Sequence, residues 1–388
     1  MNHNTCPIPS LKVTILSRHI KARGGLEKWA FRIAEGFSRK GAMVNILTSD
    51  TLETNISKPL IHAHTLPLTK WLNFKKMDQF NCLAQQWNQR HKSDIIFGMD
   101  RTSHQTHIRA GNGVHAAYLK QRKTFENYPR YKSFLNPLNH TILKIEKEAF
   151  ENPRLKVLFT NSYMVKNEIL EHYQVSPDKI EVIHNGAPWK EMEKDFIPWV
   201  ENKQKECTKH HLDPTLYHFL FIGNGYERKG LNSLLKALAT LKNKEFHLSV
   251  VGKDRKIETF IKLSKSLGLK KHVRFFGPVS DVRSFFQIAD CLVIPSHYDP
   301  FANVTVEALA MGLFVVSSKS NGGHEILKDE TGTIIEDLAS IDSLRVSLEH
   351  AMLTPKTWVR SQAIRESVKH LDFTNQLASY IELSLERR

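Results

Sequence analysis

Cysteine is scarce in this 388-residue chain: Cys6, Cys82, Cys207 and Cys291 lie far apart with no paired spacing. Neither a disulfide framework nor a zinc site is indicated, and a reducing compartment is expected. No apolar run approaches the roughly 20 residues that span a bilayer, so any membrane role is expected to be peripheral. Met1 to Ser10 has no basic start followed by an apolar stretch and does not read as a secretory signal. There is no D-x-D pair and no H-E-x-x-H, which leaves a catalytic divalent ion without obvious ligands. Internal repeats, low-complexity tracts and a Walker A loop are also missing.

Acidic residues are in deficit. Asp and Glu number 40 against 55 Lys and Arg, a formal charge of +15, so some face carries excess cation and attracts nucleic acid, anionic lipid or phosphorylated small molecules. Apolar residues make up 41%, and a chain of this length normally divides into two cores.

The first half opens with a strand (KVTILS from Lys12), a Gly24-Gly25 turn, a helix with Leu26, Ala30, Ile33, Ala34 and Phe37 at three-to-four spacing, and a second strand from Met43 to Thr48. This βαβ unit recurs less clearly at Asp94 to Phe97 and Lys156 to Thr160. A polar run from Pro188 to Asp213 then reads as a linker. A second series follows, with strands near Tyr217 to Ile222, Phe246 to Val251, Val273 to Phe276, Cys291 to Ile294, Phe314 to Ser317 and Thr333 to Ile335. The expected architecture is α/β, with two doubly wound parallel-sheet, Rossmann-like domains facing a central cleft. Their bounds are 1–190, a linker at 191–214, and 215–371, with a C-terminal helix near 372–388 packing back on the first.

Three segments carry candidate chemistry. Pro295 to Gly312 leaves a strand and enters a helix, so the amides near Phe301, Ala302 and Asn303 are expected as unpaired donors at a positive helix end suited to phosphate. Asp299 in the loop and Glu307 about two turns into the helix place two carboxylates beside that site to accept sugar hydroxyl protons. The bland alternative is a corner with Asp299 as a cap and Glu307 solvated. Phe221 to Gly230 is a strand, a loop holding Gly223 and then the adjacent cations Arg228 and Lys229, fit to neutralise a pyrophosphate or simply a surface charge pair. Between Tyr118 and Lys147, basic residues (Lys120, Arg122, Lys123, Arg130 and Lys132 among them) alternate with aromatic ones, a composition that suits an anionic membrane surface, solvated helices or nucleic acid. Gly24-Gly25 is a turn where backbone can approach a ligand, and His115, after Gly111-Asn112-Gly113, is a candidate polar group on the acceptor side.

In their order and spacing these residues resemble family GT4, the retaining glycosyltransferases with the two-domain GT-B architecture, over nearly the whole chain. Asp299 through Glu307 resembles the family's E-x7-E element, Arg228-Lys229-Gly230 its phosphate clamp, Gly24-Gly25 its glycine turn, and Val182 to Ala187 its V-x-P-N-G segment. The pattern is most similar to the lipopolysaccharide core heptose I glucosyltransferases. Asp299 replaces Glu, Ala302 replaces Gly, His184 replaces Pro, and Trp29 stands where those enzymes have an acidic residue.

The resemblance implies a transferase that moves a hexose from a nucleotide diphosphate sugar, UDP-glucose or similar, to a lipopolysaccharide core or other membrane-surface glycan. It implies catalysis by Arg228, Lys229 and Asp299 with His115 on the acceptor side, and donor binding by Gly24, Gly25, Gly223, Arg228, Lys229, Asp299, Phe301, Ala302, Asn303 and Glu307. Lys120, Arg122, Lys123, Arg130 and Lys132 would face the membrane. No metal or cofactor is implied. The partners are the donor, a glycan or glycolipid acceptor and an anionic membrane, with no nucleic acid. The expected place is the cytoplasm, on the inner face of the cytoplasmic membrane. A nucleotide-sugar epimerase or hydrolase, or a non-catalytic nucleotide- or polyanion-binding protein, fits the same cleft.

Overall fold

The computed structural model describes residues 11–20, 25–51, 59–99, 101–126 and 135–388, the first helix from residue 29 on as regards side chains. Gly24, Arg130 and Lys132 lie outside the described residues. The chain forms two compact units: Met1–Lys120, Tyr128–Ile183 and Thr374–Arg388 make the first, and Gln121–Asn127 with His184–Phe373 the second.

The first unit is built on β1 (Lys12–Leu16), β2 (Met43–Thr48), β3 (Ile61–Thr65), β4 (Ile95–Gly98), β5 (His107–Arg109), β6 (Val157–Thr160) and β7 (Ile180–Val182). All pair in parallel, in the order β3-β2-β1-β4-β5-β6-β7. Parallel strands need crossovers, and these bury both sheet faces, which is why β6 is buried at all four positions. The connecting helices are α1 (Gly25–Arg39), α2 (Asn73–Arg90), α3 (His115–Phe125), α4 (Pro137–Phe150) and α5 (Tyr163–His172). In α1 the expected apolar stripe is present, with Ala30, Ile33, Ala34 and Phe37 all fully buried. Asn136 caps α4 through the Leu138 amide, and Ser162 caps α5 through that of Val165.

The second unit carries β8 (Tyr217–Ile222), β9 (Phe246–Val251), β10 (Val273–Gly277), β11 (Cys291–Ile294), β12 (Phe314–Ser318) and β13 (Gly332–Ile335), again all parallel, in the order β10-β9-β8-β11-β12-β13. Its helices are α6 (Trp189–Phe196), α7 (Trp199–Lys209), α8 (Leu231–Thr240), α9 (Ile257–Ser266), α10 (Arg283–Ile288), α11 (Asn303–Ala310), α12 (Ile341–Met352) and α13 (Trp358–Ser367). The run 191–214 is therefore not an extended linker. It forms most of α6 and all of α7, which bury Met192, Phe196, Trp199 and Cys207 in the core of the second unit.

The last helix, α14 (Phe373–Glu386), belongs almost wholly to the first unit. Tyr380 is fully buried and meets Trp29 and Phe159 edge-on at 5.8 and 5.0 Å between ring centroids. Arg109 donates from Nε to the Tyr380 hydroxyl at 3.2 Å, and its guanidinium carbon lies 5.3 Å from the centre of the Trp29 ring. Trp29 is thus a core residue. Tyr380→Ala is expected to cost about 3–5 kcal/mol; hydrogen exchange should accelerate in β6 and α1 and stay unchanged in the second unit's strands.

Candidate active site

In the second unit β8 and β11 are neighbours, and the chain runs outward from them to opposite edges of the sheet. The loops that follow them, 223–230 and 295–302, flank a switch point of the kind where open α/β sheets hold ligands.

Glycines let these loops touch. Gly230 precedes α8 with φ 77°, and a Cβ there would lie 1.8 Å from the Pro295 carbonyl oxygen. No other residue meets both conditions. The approach brings Arg228 and Lys229 against the second loop. The His297 amide donates to the Arg228 carbonyl at 2.8 Å. Arg228 Nη1 donates to the Tyr298 carbonyl at 2.7 Å and to Asp299 Oδ2 at 3.2 Å, and Lys229 Nζ donates to the same Oδ2. Gly223 seats Lys229, since a Cβ there would stand 3.1 Å from the lysine's Cγ and Cε.

The two cations are not equivalent. The Lys229 side chain is 9% exposed and that of Arg228 31%, so Lys229 is committed to the buried carboxylate while Arg228 keeps an edge open to a ligand. Burial pushes the Asp299 pKa up, but Lys229 and Arg228 together outweigh it and hold the carboxyl below its usual range. The site thus keeps an ionised carboxylate between two cations.

The backbone of Asp299 is also tied. Its amide donates to the Ser320 carbonyl at 2.8 Å, and its carbonyl accepts from Gly322 at 2.9 Å. Asn321, fully buried, links the strand ends: its Oδ1 accepts from the amides of Ala302 (2.9 Å) and Gly323 (3.2 Å), and its Nδ2 donates to Ser317 Oγ (2.9 Å) and Thr305 Oγ1 (3.3 Å). Sequence reading missed Asn321; the available signal was the turn-forming triplet Asn321-Gly322-Gly323 after a strand.

That bond corrects one expectation, because the Ala302 amide is occupied and is not a free phosphate donor. Phe301 and Ala302 are buried, whereas Asn303 is exposed and opens α11. The first-turn amides at Asn303 and Val304 lack intrahelical acceptors by helix geometry. Since α11 begins at Asn303, Glu307 lies one turn in, not two. Glu307 is half-buried, and burial pushes its carboxyl up to about 7. The expected V-x-P-N-G segment also packs here: His184 Nε2 lies 2.9 Å from Glu325 Oε2, and Asn185 Nδ2 donates to Asn303 Oδ1 at 2.8 Å.

Other expected residues fall elsewhere. Gly25 is the first residue of α1. His115 is buried in the first unit, its amide donating to both Glu146 carboxylate oxygens at 3.0 Å and its Nε2 lying 3.1 Å from Asn139 Oδ1. Lys120 pairs with Glu171 and Arg122 with Glu126, while Lys123 is exposed.

Lys229→Met is expected to destabilise the second unit by about 3 kcal/mol, because it strips the buried carboxylate of its nearer cation. The double change Lys229→Met/Asp299→Leu should recover most of that loss in urea unfolding. Equal instability of the single and double variants would exclude charge pairing as the cause.

Comparison with known proteins gives the family and the fold. The family profile described as Glycosyltransferase Family 4 matches residues 23–188, and that described as Glycosyl transferases group 1 matches 202–367. The chain is 30% identical over 327 residues to an uncharacterized glycosyltransferase of Methanocaldococcus jannaschii, covering 80% of each. It is 24% identical over 368 residues to the lipopolysaccharide glucosyltransferase WaaG of Escherichia coli K12, covering 92% of this chain and 93% of the other. A crystal structure of WaaG matches with a TM-score of 0.75 at 21% identity, over 96% and 98% of the two chains. Anabaena HepE in complex with UDP-glucose matches at 0.67 and 15% identity, over 97% and 100%. Given a relative at this identity across most of the length, and both profiles in sequence along two parallel-sheet units, the chain belongs to the family 4 glycosyltransferases, enzymes of the GT-B fold.

Proposed function

We propose that this glycosyltransferase moves a hexose, with retention at the anomeric carbon, from UDP-glucose or a similar nucleotide sugar to a lipopolysaccharide core or other membrane-surface glycan. It would work in the cytoplasm, on the inner face of the cytoplasmic membrane. The observation that carries the donor half is the Arg228, Lys229 and Asp299 cluster. Negative charge builds on the departing diphosphate as the glycosidic bond breaks, and cations fixed beforehand stabilise that state without reorganisation. Arg228 offers its open edge to the diphosphate, and Lys229 supports it from beneath. A diphosphate that draws Arg228 away from Asp299 frees a carboxylate oxygen for a sugar hydroxyl. The Glu307 carboxylate has no hydrogen bond or ion pair among the described residues and is suited to accept from the ribose hydroxyls. Charge neutralisation is assigned to the two side chains, with no metal in the reading. Support for the donor and acceptor classes comes from the UDP-glucose bound by HepE and from the name of WaaG.

No helix among the described residues is long and apolar enough to cross a membrane. Of the basic residues expected at the membrane, Lys120 and Arg122 are compensated by ion pairs. A better surface lies ahead of α2, where Trp71 is 80% exposed between Lys70 and the pair Lys75 and Lys76. An exposed indole among lysines sits well at the headgroup level of an anionic bilayer.

A thermal-shift screen of UDP-, GDP- and ADP-sugars is expected to show stabilisation by the UDP series. Arg228→Ala should lower turnover by about 10² to 10³, with little effect of EDTA on either protein. No shift with any nucleotide, or near-normal turnover in the variant, would remove the donor assignment. Trp71→Ser combined with Lys75→Gln should weaken sedimentation with anionic liposomes at unchanged melting temperature; equal sedimentation would clear this face of a membrane role.

A further inference from the structure

The clamp itself carries no net charge. Loop 223–230 holds Arg228 and Lys229 with Glu227, and loop 295–302 holds Asp299, so two formal cations face two formal anions. The carboxyl of Glu307 can only subtract from that balance. Charges in the loops on either side also close on themselves, Arg283 pairing with Asp195 at 3.1 Å and Lys319 with Glu336 at 2.8 Å. A nucleotide diphosphate is a multiply charged anion, and what acts on it beyond contact range is the charge left uncancelled.

That charge lies on the neighbouring loop. β9 stands on the other side of β8, and the turn leaving its carboxyl end, 252–256, is bonded to the clamp loop through the backbone. The Lys253 amide donates to Asn224 Oδ1 at 2.7 Å, the Gly225 amide to the Lys253 carbonyl at 3.1 Å, and the Tyr226 amide to Asp254 Oδ2 at 2.6 Å. Tyr226 is fully buried, and its hydroxyl donates to the Gly252 carbonyl at 2.8 Å. The turn is thereby fixed beside Arg228 and Lys229. Its own cations take no part in the fixing: Lys253, Arg255 and Lys256 are exposed, and none of the three side chains has a hydrogen bond or ion pair among the described residues. Asp254 is the single acid of the turn.

Like charges held within four positions repel one another, a cost that an arriving polyanion relieves. Further cations follow at Lys262, Lys265, Lys270 and Lys271, but that run passes along α9 to the amino edge of β10, away from the ligand loops. We propose that Lys253, Arg255 and Lys256 form an electrostatic guide that draws the nucleotide diphosphate to the clamp, speeding its arrival without holding it once bound. This rests on the reading that the second unit takes the donor.

The test follows association of a uracil-labelled UDP with the full-length protein by stopped-flow fluorescence, with the thermal shift by unlabelled UDP measured alongside. At about 0.1 M salt a charge is felt to about 10 Å. There the triple variant Lys253→Gln/Arg255→Gln/Lys256→Gln is expected to associate about fivefold more slowly with unchanged dissociation, a modest share of what steering can supply. At about 1 M, where the range is about 3 Å, the two rates should coincide. Lys265→Gln/Lys270→Gln/Lys271→Gln removes the same charge near the other edge and should associate at nearly the unaltered rate. Both triple variants should melt with the unaltered protein when no nucleotide is present, since the altered side chains are exposed. Equal slowing by the two variants reduces the effect to net charge and overturns the proposal. An unchanged rate in the first variant, a loss that survives the high salt, or a loss carried by faster dissociation overturns it too. A UDP shift abolished by Arg228→Ala together with an unchanged rate in the first variant refutes the guide alone, whereas no UDP shift in the unaltered protein removes the donor reading and the guide with it.

Discussion

A carboxylate kept ionised out of water constrains the whole ligand edge of the second unit. Lys229 and Arg228 hold the Asp299 carboxyl below its usual range against its burial, and a buried charge that loses its partner is among the more costly defects a fold can carry. The contact therefore locks two loops from neighbouring strands into one arrangement. Much of the local sequence serves that demand. Gly230 admits the Pro295 carbonyl, Gly223 leaves room for the lysine stem, and Asn321 ties the Ala302 amide to the end of β12. Replacing any of these would act on the charge cluster through geometry before it acted on a ligand.

The two units follow one plan with different electrostatics. Each has a parallel sheet whose strand order reverses beside its first strand, and each puts cations on the loops at that reversal. In the second unit the cations are compensated by an internal carboxylate. In the first, Arg18 forms no ion pair among the described residues. The first unit is also discontinuous in sequence, since the chain returns at its end to fill the core around Tyr380.

Strands with long apolar runs were legible. KVTIL, FHLSVV and CLVI are buried nearly throughout, and a strand covered on both faces advertises itself by continuous hydrophobicity. β3, β5 and β7 (IHAHT, HIR and IEV) were not seen, because they are short and hold histidine, arginine or glutamate. His107 lies fully buried in β5, its ring nitrogen near the Ser384 carbonyl, an environment that only the last helix supplies. The supposed linker failed differently. Trp189, Met192 and Phe196 have helical spacing and are buried together, but the many charges around them masked three apolar positions.

The order of strand, glycine turn and helix and the doubly wound class of both units follow from the sequence alone, since each depends on periodicity or steric demand within about 15 residues. Which side chains meet does not. The bond from Lys229 to Asp299 spans 70 positions, and that from Arg109 to Tyr380 spans 271. Tertiary structure decided that Arg228 stays open while Lys229 is buried, that the Ala302 amide is occupied and that His115 lies in a buried network. Burial and charge compensation are properties of the returned chain, and no local window of residues contains them.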